Sequence, residues 1–421
     1  MSGTRRRHFL FGSLAAAGSF VLGRESARGA VPTNKRLVFV FMRGGVDSLG
    51  LVSPVGAGAA TLAALRPNIG LENPIAFSPT LALSRLLAPL LDDAVIRAGL
   101  NIVVQAGSLN ESRSHFVAMD HVESGDAAGS TSTGFLGAAA SALARNAIGV
   151  GALLPASLRG TNALVLSDPA RLQAQYAHGG LKPGLSRAQR LGLYKQAAGE
   201  SADALVDGLA RQAEAQFDAI AGAMQGVTLA GLVSAGSYVN SSFGQRLAVA
   251  GAMLASPANP AIVTIDAEHA WDTHFNQATN DPAGYYAYGK KVDDVAKNLV
   301  AFKNDLQRRG LWDGTAIVLM SEFGRTVREN GNHGTDHGRA GAMLLLGGAM
   351  RGHTDPAYRG LRSISLPATV DGSTALDVVH DYRLVMAEIL ERHLGLPQAT
   401  VIGLFRPAAS VRAVEYLNVV R

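Results

Sequence analysis

The chain contains no cysteine. That one absence excludes iron–sulfur clusters, thiolate zinc sites, cysteine nucleophiles and disulfide staples. No strand–GxGxxG–helix signal for a dinucleotide is present either, which argues against a redox role. After residue 35 no internal repeat, low-complexity segment or linker is visible. Excess charge is also missing once its source is located. Of the formal net charge of +5, residues 1–29 supply +4, through Arg5, Arg6, Arg7, Arg24 and Arg28 against Glu25. The rest of the chain is near neutrality and carries no nucleic-acid footprint.

What is present is a long, apolar chain. Its 421 residues are 48% hydrophobic, enough for one large α/β domain or two smaller ones, and 48 glycines predict many loops. At the N-terminus, Arg6-Arg7-His8-Phe9-Leu10 precedes an apolar run from Phe11 to Leu22 and the small residues Ala27-Arg28-Gly29. The run is too short to span a bilayer, which takes ~20 residues. Paired arginines followed by Phe-Leu predict a twin-arginine export signal over residues 1–30, cleaved near Gly29 or Ala30. The expected location is therefore periplasmic or secreted. The translocase is a transient partner, and no stable membrane span remains after processing.

Beyond that leader, short apolar β-branched runs alternate with helical patterns. Arg36–Met42, Asn101–Ala106, Asn162–Leu166, Ala261–Ile265 and Ala316–Met320 read as buried strands, and a further apolar run follows at Ala342–Leu346. Helical periods cover Thr80–Leu91, Phe116–Val122, Ala138–Ala144, 186–225, 241–255, Tyr285–Leu306 and Asp377–Leu394, while Pro397–Phe405 reads as a small strand or turn. The alternation predicts an α/β fold, a mainly parallel sheet covered by helices on both faces, in one domain over 31–421. Residues 186–255 form an inserted helical region or layer in that reading.

Chemistry-bearing residues recur just past the strand ends. Arg43 and Asp47 follow the first strand, Ser114 and His115 the second, and Asp272 and His274 the strand at 261–265. Glu322 and Arg325 follow the strand at 316–320, and Asp336-His337 lies in the loop beyond. In an open α/β sheet that edge is where sites form. Carboxylate and imidazole without thiolate suit divalent cations such as Zn, Mn, Ca or Mg. Two clusters suggest two ions, which would polarise an ester and position its attacker. Ser114 and His115 stand at a helix N-terminus, a place that favours anions. Ser114 reads equally as nucleophile or as helix cap, and Asp47 as ligand or as turn aspartate. Arg43 and Arg325 are candidate clamps for an anionic group.

Five stretches carry a resemblance. VFVFMRGGVDSL (Val38–Leu49), SRSHFVAMD (Ser112–Asp120), WDTH (Trp271–His274), SEFGR (Ser321–Arg325) and GTDHG (Gly334–Gly338) resemble the twin-arginine-exported bacterial family called domain of unknown function 1501. That family is similar in fold to the alkaline phosphatase and sulfatase superfamily. The resemblance implies that Asp47, Ser114, Asp336 and His337 hold one cation and Asp272 and His274 the other, with Glu322 ligating or orienting a ligand. The Asp272-x-His274 spacing is shorter than the superfamily's Asp-x-x-x-His, and the last histidine ligand is left open among His333, His353 and His380. The implied function is an exported metal-dependent hydrolase of phosphate or sulfate esters, with Ser114 attacking, His115 as acid or ligand-orienting partner and a small or polymeric anionic substrate. A non-catalytic binding or assembly module on the same fold is the alternative.

Overall fold

The structure is a computed structural model that describes residues 34–129, 133–161, 163–169, 220–267, 271–281, 288–406, 411 and 415–421. The export leader expected over 1–30 lies outside these residues, as does most of the helical region expected over 186–225. No helix among the described residues is long and apolar enough to cross a membrane.

Among the described residues, eight strands form one sheet. In chain order they are β1 (Arg36–Phe41), β5 (Asn101–Gly107), β6 (Ala147–Val150), β7 (Leu164–Leu166), β8 (Ile262–Asp266), β9 (Thr315–Met320), β10 (Gly341–Leu346) and β11 (His380–Asp381). A small antiparallel sheet is made by β2 (Val52–Pro54), β3 (Ile75–Ala76) and β4 (Leu81–Leu83). The large sheet runs β11-β5-β10-β9-β1-β8-β6-β7, and β10 alone opposes the others. Strands covered on both faces read as unbroken apolar runs, and β1 is buried along its whole length. Its side chains alternate between two cores. Val38, Val40 and Met42 enter one, and Leu37, Phe39 and Phe41 enter the other.

Register sets the site's position. Phe41 of β1 stands level with Asp266 of β8 and with Met320 of β9, while Ala106 near the end of β5 stands opposite Gly341 at the start of β10. The loops after β1, β5, β8 and β9 therefore all leave from one edge. The β9–β10 loop, which carries Asp336 and His337, begins and ends there. Helices flank the sheet, including His115–Ser124 directly after β5, Ser242–Leu254, and the amphipathic Tyr288–Arg308 that leads back to β9.

Three segments differ from expectation. The helix expected over Asp377–Leu394 starts only at Tyr382, because His380–Asp381 pairs with β5 and Asp381 then caps the helix by accepting from the Arg383 N–H. Thr80–Leu91 is not one helix. Leu81–Leu83 pairs with β2, Ser84 then caps a 3-10 turn by accepting from the Leu86 N–H, and a short helix over Ala88–Asp92 starts with Pro89 in its first turn. Spaced leucines fit a helix there, but the neighbouring strand makes the first three a strand. Pro397–Phe405 contains a helix, Gln398–Leu404, opened by Pro397 and buried through Val401.

Candidate metal centre

Arg325 organises the edge. Its side chain is fully buried, and its guanidinium donates to the carbonyls of Gly45 (2.6 Å), Thr335 (3.0 Å), Gly44 and Trp271 and to the carboxylate of Asp272. One side chain thus ties together the loops after β1, β8 and β9. Gly44, at φ +116°, lets the Asp272 segment come close: a Cβ on it would sit 2.8 Å from the Asp272 nitrogen.

Around this clamp three imidazoles converge. His115 places Nδ1 2.6 Å from Glu322 Oε1, His274 places Nδ1 2.8 Å from Asp336 Oδ1, and His337 places Nδ1 2.7 Å from the carbonyl oxygen of Arg113. A carbonyl only accepts, so His337 Nδ1 carries its proton. The carboxylates favour the same tautomer in the other two rings. Each neutral ring is then left with a bare Nε2 lone pair. These lone pairs share one space. His274 and His337 Nε2 are 2.9 Å apart, and both face Asp272 Oδ1, at 3.0 and 3.3 Å. His115 Nε2 is buried without a hydrogen-bond partner, 3.4 Å from Asp272 Oδ2. Donor atoms of His115, Asp272 and His337 all lie within 4.8 Å of one another.

Two lone pairs 2.9 Å apart repel unless a proton or a cation lies between them. Ligands held at ~2.1 Å by a tetrahedral ion stand about 3.4 Å apart, close to the separations seen here. Three nitrogens and one carboxylate, each ring anchored from behind by an acceptor, fit a divalent cation. Glu322 and Asp336 are thus in the orienting position rather than in the ligand ring. Among the described residues one group of donors lies mutually within 4.8 Å, that of His115, Asp272 and His337, and His274 adjoins it through His337 Nε2 and Asp272 Oδ1.

The electrostatics match. Burial disfavours the charged form of Asp272, but the hydrogen bond and charge of Arg325, with His274 and His115, outweigh it and lower the pKa to about 2. Burial is likewise outweighed at Glu322, chiefly by the His115 hydrogen bond, and at Asp336 by those from His274 and Asn330, so both carboxyls are lowered. The Glu322 hydrogen bond raises His115 against the opposing effect of burial, whereas burial, followed by the Arg325 charge, lowers His337. A full set of ionised carboxylates around bare imidazole nitrogens is what a cation requires.

Other expected residues stand elsewhere. Asp47 is 1% exposed and closes a two-pronged pair with Arg66, at 2.7 and 3.1 Å, while also accepting from Gln277 Nε2 at 2.6 Å. Its charge is neutralised by a guanidinium, and it does not join the imidazoles. Arg43 is held by Glu123 and Asp266, and Arg325 by carbonyls and Asp272, so neither presents an unclaimed fork to an anion. Ser114 is exposed at the N-cap of His115–Ser124, and its hydroxyl caps nothing. His353 is buried against Phe77 and Tyr358, His380 accepts from the Leu361 N–H, and His333 is exposed near Glu329, so none completes the cluster. His115 fills that place. Arg66 and Asn330, which holds Asp336 at 3.0 Å, escaped the sequence reading. Neither stands at the end of a strand.

Among solved structures, the lipoteichoic acid synthase LtaP from Listeria monocytogenes aligns at 11% identity over 80% of this chain and 71% of its own, with a TM-score of 0.32. Ps i-CgsB aligns at 11% identity over 89% of this chain and 77% of its own, also with a TM-score of 0.32. At that identity and score neither lends a residue role or an activity to this chain. No curated protein matches it. The family model described as "Protein of unknown function (DUF1501)" matches residues 97–355, more than half the chain and every residue of the imidazole cluster, and the chain belongs to that family.

Proposed function

We propose that this protein is a metal-dependent hydrolase of phosphate or sulfate esters, with one divalent cation held by Nε2 of His115, His274 and His337 and by the carboxylate of Asp272. The observation that carries this reading is the convergence of three anchored imidazoles, one with an orphaned buried Nε2, on a single ionised carboxylate. A cation there would polarise an ester oxygen and lower the pKa of a bound water or hydroxyl. Glu322, Asp336 and the Arg113 carbonyl keep the three rings aimed. Arg325 keeps Asp272 ionised and fixes the loops that carry the donors. The helix His115–Ser124 turns its first N–H groups, unpaired within the helix, toward the same edge, where an anionic group gains from them. Ser114 heads that helix with an exposed hydroxyl that caps nothing, and it is the attacking group in this proposal. The paired arginines of the leader support export with the cation already loaded.

The test is metal analysis of the purified full chain, paired with turnover of a panel of phosphate and sulfate esters. One divalent cation per chain is expected. Asp272→Asn should lose both the cation and turnover, and Ser114→Ala should lose turnover alone. Wild-type protein grown in metal-replete medium without stoichiometric cation overturns the reading. Such a protein, folded but inert, would be the binding module instead.

A further inference from the structure

Two of the loops that carry the cluster are pinned to each other. The Thr335 N–H donates to the Thr273 carbonyl at 3.0 Å, the Asn276 N–H to the Asn332 carbonyl at 2.9 Å, and the Gln277 N–H to the His333 carbonyl at 2.8 Å. Gly334 allows the close approach: a Cβ on it would sit 2.3 Å from the His274 carbonyl carbon. The segment that bears Asp272 and His274 therefore runs against the one that bears Asp336 and His337.

A single side chain joins both segments. Gln277 is fully buried, and all four hydrogen-bonding places of its amide are used. Its Oε1 accepts from the hydroxyls of Thr273 at 3.1 Å and Thr335 at 2.9 Å. Its Nε2 donates to Asp47 Oδ2 at 2.6 Å and to Thr279 Oγ1 at 3.1 Å. A carboxylate only accepts, so Asp47 decides which way round the amide sits. Thr273 lies between Asp272 and His274, and Thr335 directly precedes Asp336-His337. One amide oxygen thus fixes both segments beside their donor residues. Arg66, the partner of Asp47, extends the same network to the Thr326 carbonyl, and Thr326 in turn exchanges hydrogen bonds with the Asp336 backbone. A fully satisfied buried network holds its members in one arrangement. An aliphatic side chain of similar length would fill the space without tying the segments together.

We propose that Gln277 is the positioning residue of the imidazole cluster. Acting through Thr273 and Thr335, it holds His274 and His337 with their Nε2 atoms face to face, 2.9 Å apart. This assignment rests on the cation in the proposed function and on none of its ester chemistry.

The experiment compares the full-length wild type with Gln277→Met in three readouts: Zn2+ affinity by chelator competition, the nuclear Overhauser effect between the His274 and His337 rings in metal-free protein, and denaturant unfolding. The variant should bind Zn2+ roughly 10-fold more weakly and lose most of the ring-to-ring effect. The Thr273→Val, Thr335→Val double variant, which removes the two hydroxyls, should do the same and decides the matter if Gln277→Met does not fold. Adding both threonine changes to Gln277→Met should cost no further Zn2+ affinity. Lowered unfolding stability with affinity and ring contact unchanged would make Gln277 a core residue only and overturn the proposal. Losses that add in full would show that the hydroxyls do not act through Gln277, and also overturn it. The two readings fail separately. Wild type that binds no Zn2+, with a ring contact that Gln277→Met still abolishes, removes the hydrolase and leaves the positioning role. Equal Zn2+ affinity in wild type and variants does the reverse.

Discussion

Two aspartates on neighbouring loops meet opposite fates. Asp47 follows β1 and Asp272 follows β8, two strands that pair along their length. Each carboxylate meets an arginine, Arg66 for one and Arg325 for the other. Asp47 is sealed at 1% exposure with both oxygens engaged by Arg66, a closed neutral pair. Asp272 is 42% exposed and shares its oxygens among Arg325 and three imidazoles. Position at a strand end is common to both, so position does not make a ligand. What separates them is how the arginine shares its hydrogen bonds between the carboxylate and the backbone. Arg66 divides its donors between two bonds to Asp47 and two to the Val327 and Thr326 carbonyls, while Arg325 gives four bonds to carbonyls and one to Asp272.

The sharpest way to break this contrast is Arg66→Met. Removing one partner of a buried pair leaves an uncompensated charge and costs about 3–5 kcal/mol. Denaturant unfolding should show that loss, with cation content per chain unchanged. If the variant instead takes up a second cation, Asp47 is a ligand held in check by Arg66, and the contrast collapses. A smaller effect is expected on the other side. Glu322→Gln removes the charge behind His115 but keeps a hydrogen-bond acceptor. Cation affinity, measured by chelator competition, should fall about 10- to 100-fold, with little change in unfolding. Unchanged affinity would mean that His115 is not part of the cation's shell.

Much of this could be read from the chain. β1 and β9 were legible because strands buried on both faces are written as unbroken apolar runs. Asp272, His274 and His337 were legible because they follow strand ends that a parallel sheet brings to one edge. The Asp47–Arg66 pair was not. Arg66 closes the helix Ala57–Leu65, away from any strand of the large sheet, and only tertiary contact brings it to Asp47. The division between ligand and orienting carboxylate was also hidden. Whether Glu322 or Asp336 touches a cation or a ring depends on which ring nitrogen faces it, and no spacing encodes that. The expectation of two ions followed from assigning Asp47, Asp336 and His337 to one group. The structure turns Asp47 to Arg66 and Asp336 to the back of His274, and the described donors gather in one place.

The smallest effect tests the cluster's internal balance. In metal-free protein the hydrogen bond from Glu322 raises His115 above its ordinary value of 6.5, and burial lowers His337 below it. A raised histidine contributes stability that is complete below 6.5 and is lost as pH rises through its folded value. A lowered histidine contributes stability that is complete above 6.5 and is lost as pH falls through its folded value. The two windows meet at 6.5 and do not overlap, so in metal-free protein this pair should make stability greatest near 6.5 and lower on either side. Imidazole titration by NMR on chelated protein resolves the pair: His115 should take its proton first as pH falls, and His337 last. Glu322→Gln should bring His115 down toward His337 and leave His337 near its place, since burial, not Glu322, is the main cause of the latter shift. If His337 proves the more basic of the two, the Glu322 hydrogen bond and the burial of His337 do not set the order of protonation, and His115 loses its assigned place in the cluster.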